Sequence, residues 1–106
     1  MINSLFRTHD PRLYTIILHR TRYYNHIWVQ HGIDVESIQH VVENPDFITA
    51  DPSDEYKENY YAQGILSDFP DLYVKVCVLF KQEVGRVLTA FDVDMPKINE
   101  KILWQK

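Results

Sequence analysis

The chain's 106 residues predict one α+β domain: an antiparallel sheet of four to five strands with two N-terminal helices packed on one face. Three observations lead there. Helix start and stop signals crowd into residues 20–45, and strand-forming runs fill most of residues 47–104. Turn clusters rich in Asp, Pro and Gly separate those runs at intervals short enough for antiparallel neighbours. Hydrophobic residues at 45% and charged residues at 25% match a folded globule rather than a disordered chain, and the length fits a single core over residues 1–106.

Residues 1–11 are polar and irregular and are expected to form a poorly ordered lead-in. Residues 13–18 (LYTIIL) are β-branched and aromatic and read as a strand, although Asp10-Pro11 also carries the N-cap and N1 signature of a helix start. Thr21 is placed to cap a helix over residues 22–31, stopped by Gly32 at C′. Asp34 caps the next helix, whose apolar stripe is Val35, Ile38, Val41 and Val42 and which ends at Asn44-Pro45. Phe47-Ile48 opens a strand, residues 51–54 (DPSD) turn, residues 59–62 (NYYA) form a second strand, and residues 68–71 (DFPD) turn again. Residues 72–80 (LYVKVCVLF) carry the strongest strand pattern, with Val74, Val76 and Val78 alternating against Lys75 and Cys77. Residues 81–85 make a hairpin loop to the partner strand at 87–93 (VLTAFDV). Residues 102–104 (ILW) add an edge strand or cover the core.

The formal charge of −4 counts against a generic nucleic-acid binder, but it is unevenly spread. Residues 43–71 hold eight acids and one base, while residues 1–42 carry +1 with all five histidines and residues 72–106 carry +2. The acidity therefore belongs to a middle segment, and RNA stays open as a partner for the two ends. One cysteine, Cys77, excludes an internal disulfide and a cysteine-based zinc site, and mid-strand it reads as a buried small hydrophobe. No apolar run reaches a membrane span and no signal-peptide pattern is present, so the expected address is the cytoplasm with no membrane partner.

Two groups of residues are suited to chemistry. Arg22 and His26 are four apart and share a helix face. His31 is five residues beyond His26, about 140° around a straight α-helix, but stands at the helix end, where the dipole favours positive charge. Imidazoles beside an arginine suit a phosphate clamp or general acid–base work. The spacing of His26 and His31 is not the i, i+4 pairing that sets two imidazoles on one metal, so no metal or other cofactor is expected. The second group centres on Thr89. Alternation puts Val87, Thr89 and Phe91 on one sheet face, and Lys75 with Tyr60 or Tyr61 supplies a cation and a phenol to it. No Gly-rich phosphate loop, nucleophile elbow or reactive-cysteine motif occurs.

In order, the chain has a short strand, then His26-Ile27-Trp28-Val29-Gln30-His31, then Asn44-Pro45-Asp46-Phe47-Ile48. A Tyr-rich strand, a Val-rich strand, Val87-Leu88-Thr89-Ala90-Phe91 and a closing Glu100-Lys101-Ile102-Leu103-Trp104 follow. This order resembles the phage-associated nuclease domains of the barnase–EndoU–colicin–RelE-like group over residues 13–104. The resemblance implies an antiparallel sheet with helices on one side and a metal-independent ribonuclease of phage or toxin type. It implies His26, His31 and Thr89 as catalytic residues together with a middle-strand tyrosine, Tyr60 or Tyr61; the mechanism that follows takes Tyr61 as catalytic and Arg22, Lys75 and Tyr60 as substrate contacts. RNA is the implied substrate and a cognate inhibitor protein the implied partner. Members commonly read His-Pro-Glu after the first helix; here the chain reads His31-Gly32-Ile33, with Glu36 displaced. The alternative of another class is a non-catalytic binding or accessory module on the same fold, in which the histidines need not converge.

Overall fold

The computed structural model describes residues 3–96 and 99–106. Strands β1 (Ser4–His9) and β2 (Thr15–His19) form an antiparallel hairpin. Helix α1 follows without a break as an α-helical turn (Arg20–Arg22), a π-helical turn (Tyr23–Ile27) and a closing α-helical turn (Trp28–His31). Helix α2 is Val35–Glu43. Strands β3 (Phe47–Ala50), β4 (Lys57–Gln63), β5 (Tyr73–Lys81), β6 (Val84–Val93) and β7 (Ile102–Gln105) complete the chain.

The class is α+β, but the sheet is larger than expected and mixed. Seven strands lie in the order β1-β2-β6-β5-β4-β3-β7, and β2 runs parallel to β6. The helices follow the first hairpin, so the chain opens on sheet. The segment expected as an irregular lead-in is β1, whose Phe6 is buried in the core. Polar residues dominate β1 because it is an edge strand with one row of inward side chains. Asp10 does not start a helix. Its carboxylate accepts from the backbone N–H of Arg12 and of Tyr14, tying a turn in which Leu13 takes a positive φ of 72°. The strand accordingly begins at Thr15 rather than at Leu13.

Several local signals act as the sequence indicates. Gly32 holds the left-handed position that ends α1, with φ 66°. The Asp34 side chain accepts from the Ser37 N–H, and Ile38, Val41 and Val42 are fully buried. Thr21 is not a cap: α1 starts at Arg20, and His19 precedes it with no side-chain cap. Residues 102–104 do form an edge strand, paired with β3.

The core lies between α2, the inner side of α1 and one sheet face bearing Ile16, Leu18, Tyr60, Val74, Val76, Val78 and Ala90. The register of β5 with β6 skips Leu88, since Cys77 pairs with Thr89 and Val78 with Val87. This bulge changes the alternation, so Val87 joins Ala90 in the core while Thr89 points to the other face. Gly85 belongs to β6 rather than to a loop. A Cβ there would meet Val78 at 2.5 Å, with Ile16 and Phe80 at 3.0 Å.

Candidate active site

The second sheet face is where the expected chemistry collects. β2 pairs with β6 only through Val84–Arg86, and α1 packs against the remainder of β6. A helix at that position reaches both faces. Ile27 and Tyr23 enter the core, while His26 Nε2 lies 3.2 Å from Thr89 Oγ1. His31 joins them: its ring lies 5.8 Å from the His26 ring and 5.3 Å from Phe91, between centroids.

The π-helical turn explains this convergence. On a straight α-helix two residues five apart diverge, but here the Trp28 N–H bonds to the Tyr23 carbonyl, an i→i+5 closure. Such closure brings residues five apart into line. Two ring pairs at that spacing are in contact, Tyr23 with Trp28 at 6.2 Å and His26 with His31. The same widening works against Arg22, four residues before His26. Arg22 is exposed, and no side-chain contact joins it to His26.

Lys75 stands opposite Phe91 on β6 and Tyr61 on β4. Its Nζ is 5.6 Å from the centre of each ring. The residue is only 8% exposed and forms no ion pair among the described residues. Two aromatic faces offset part of the desolvation cost of an ammonium group but supply no counter-charge. Lys75 and His31 both pack against the Phe91 ring, which links the ammonium to the imidazole pair.

The two tyrosines part company. Tyr61 shares the face of Lys75 and is buried, and its hydroxyl donates to Glu100 Oε1 at 2.8 Å. Tyr60 points into the core on the opposite face. It is fully buried, and its hydroxyl donates to Asp10 at 2.7 Å, so its expected role as a substrate contact is corrected to a structural one. Burial and the Asp10 carboxylate raise its phenol far above the ordinary tyrosine range.

Glu100 is a site-face residue that residue patterns did not indicate. It is buried and accepts from Thr49, Asn59 and Tyr61 across large sequence separations. Nothing local in Asn99-Glu100-Lys101 marks it. Cys77 is half-buried on the site face, not in the core, and burial raises its thiol. The acidic middle segment also comes closer than its sequence position suggested. Asp68 lines a cavity of about 280 Å³ beside His31. Among the described residues no three His, Cys, Asp or Glu side chains gather closely enough to hold a metal ion, and no helix is long and apolar enough to cross a membrane. Comparison of the chain with protein families, curated proteins and solved structures finds no match.

Proposed function

We propose that this chain is a metal-independent endoribonuclease of the barnase–EndoU–colicin–RelE-like kind. The observation that carries the reading is that His26 meets Thr89 and His31 on the sheet face that also bears buried Lys75, which forms no ion pair among the described residues. On this reading the phosphodiester lies between Lys75 and the side chains of His26, His31 and Thr89.

In the proposed reaction His26 takes the proton of a ribose 2′-hydroxyl as its oxygen attacks the adjacent phosphorus. The bond from phosphorus to the 5′-oxygen breaks, and His31 gives that oxygen a proton. The products are a 2′,3′-cyclic phosphate and a free 5′-hydroxyl. Lys75 and Thr89 stabilise the charge that builds on the phosphorane oxygens. The nucleophile belongs to the substrate, so the steps as written use no metal. Tyr61, fixed by Glu100, forms the floor beneath the ammonium rather than a proton donor. On this reading the enzyme works in the cytoplasm, and a cell that makes it needs an inhibitor protein.

The test is cleavage of mixed RNA by purified protein in EDTA, wild type against His26→Ala and His31→Ala. Loss of cleavage in both variants is expected. Equal behaviour of wild type and His26→Ala removes the assignment. RNA binding with no cleavage by wild type would instead favour the non-catalytic binding module.

A further inference from the structure

We infer that the cavity beyond His31 is a base-recognition subsite, and that it takes an unpaired nucleobase carrying an exocyclic amino group. The inference rests on the ribonuclease reading for the position of the phosphate. The cavity lies at the end of α1 and is lined by His31, Ser67, Asp68, Phe69 and Asp92 with a volume of about 280 Å³. Neither His26, Thr89 nor Lys75 lines it, so of the proposed catalytic side chains His31 alone borders it.

Its walls are unlike those of a phosphate site. Phe69 is 61% exposed and stands at the wall of the cavity, so an aromatic face is open to a flat ligand there. The loop that holds it is closed by turn hydrogen bonds from the Phe69 N–H to the Leu66 carbonyl and from the Leu72 N–H to the Phe69 carbonyl. The turn holds the backbone from which the ring projects, and an exposed aromatic face of this kind suits base stacking. Asp68 and Asp92 make no ion pair or side-chain hydrogen bond among the described residues. A carboxylate only accepts hydrogen bonds. It repels the phosphate but matches an edge that donates, as the amino groups of adenine, cytosine and guanine do and the carbonyl-rich edge of uracil does less well. A paired base has that edge occupied, so the substrate must be single-stranded at this position.

Oligodeoxynucleotides carrying one ribonucleotide have a single 2′-hydroxyl and hence one cleavable bond. The bases on both sides of that bond are varied among A, C, G and U or T, and kcat/KM is measured for wild type, Phe69→Ala and the double variant Asp68→Ala/Asp92→Ala. All three substitutions fall on exposed side chains, so folding is preserved. At one of the two positions wild type is expected to prefer amino-bearing bases by about tenfold or more, within the range one base contact supplies. The double variant should reduce this below about threefold, and Phe69→Ala should lower kcat/KM for every base. Binding of all-deoxy oligonucleotides by fluorescence anisotropy reads the same preference without cleavage. Base preference in binding with no cleavage keeps the subsite and overturns the ribonuclease. Cleavage with no base preference, or with preference unchanged in the double variant, overturns the subsite and keeps the ribonuclease.

Discussion

A lysine that is 8% exposed and forms no ion pair among the described residues is the residue that most needs a functional explanation. Charged side chains are almost never buried unless paired, and a structural role would be served better by methionine. Lys75→Met keeps the length of the side chain and removes the charge. Thermal stability should be unchanged or higher, while RNA cleavage should fall by about 10²-fold or more, the usual loss of a preorganised charge contact. A melting curve and a cleavage assay on the same preparation check both halves; a fall in stability with unchanged cleavage would show the ammonium to be structural. Thr89→Val retains shape and removes the hydroxyl beside His26, and should cost about tenfold or more in the same assay. At this scale residue type and alternation were good guides. His26 meets Thr89 and His31, and Lys75 lies on the same sheet face. The choice between Tyr60 and Tyr61 was not legible, because adjacent strand residues face opposite ways and the deciding partner, Asp10, is 50 residues from Tyr60. Glu100 was hidden for the same reason.

Among the elements, the departures from regular geometry build the site. The β6 bulge at Leu88 and the π-helical turn of α1 each add a residue that regular periodicity does not count, so face assignments past either one shift. That is why alternation placed Val87 with Thr89, and why straight-helix geometry, with His26 and His31 about 140° apart, does not by itself bring the two rings together. The edge strand β1 was missed because four of its six residues are polar. The capped helix α2 and the strands β3 to β7 were legible because their signals are local. Deleting Asn25, an exposed residue of the π-helical turn, should convert α1 to regular α-helix. Helical circular dichroism should persist while His26 loses Thr89 and cleavage disappears; a deletion variant that still cleaves would separate the site from the turn. Gly85→Ala tests the tight seam between β2, β5 and β6. A methyl 2.5 Å from Val78 must displace core side chains, at a cost of about 1–3 kcal/mol. Chemical denaturation gives the value directly, and no loss would mean that the seam is slack.

For the whole molecule, polar groups at two places among the described residues fasten the N-terminal hairpin to the rest of the fold, and one of them makes stability depend on pH. At one, Arg12 bonds Asp10, Glu58 and the Tyr60 hydroxyl, with the Asp10 side chain fully buried. Removing only the cation, as in Arg12→Leu, leaves a buried carboxylate without its counter-charge and should cost about 3 kcal/mol or more. At the other, Thr8 on β1 donates to Glu43 at the end of α2, and Gln39 donates to the same carboxylate oxygen. The Thr8 bond, then the Gln39 bond, hold the Glu43 carboxyl below its ordinary value of 4.5. A carboxyl lowered in the folded state contributes stability that is complete above its unfolded value and is lost as pH falls through its folded value. Thr8→Val removes the first of these bonds while keeping the β-branched shape that suits a strand. The variant should therefore melt below wild type at pH 7, and the gap should narrow steadily below pH 4.5 as Glu43 is protonated in both proteins. Melting temperatures of the pair measured from pH 7 to about pH 3 decide the matter. A gap that does not change with pH would mean that the Thr8 hydroxyl acts through packing alone, and that β1 is joined to α2 by shape rather than by charge.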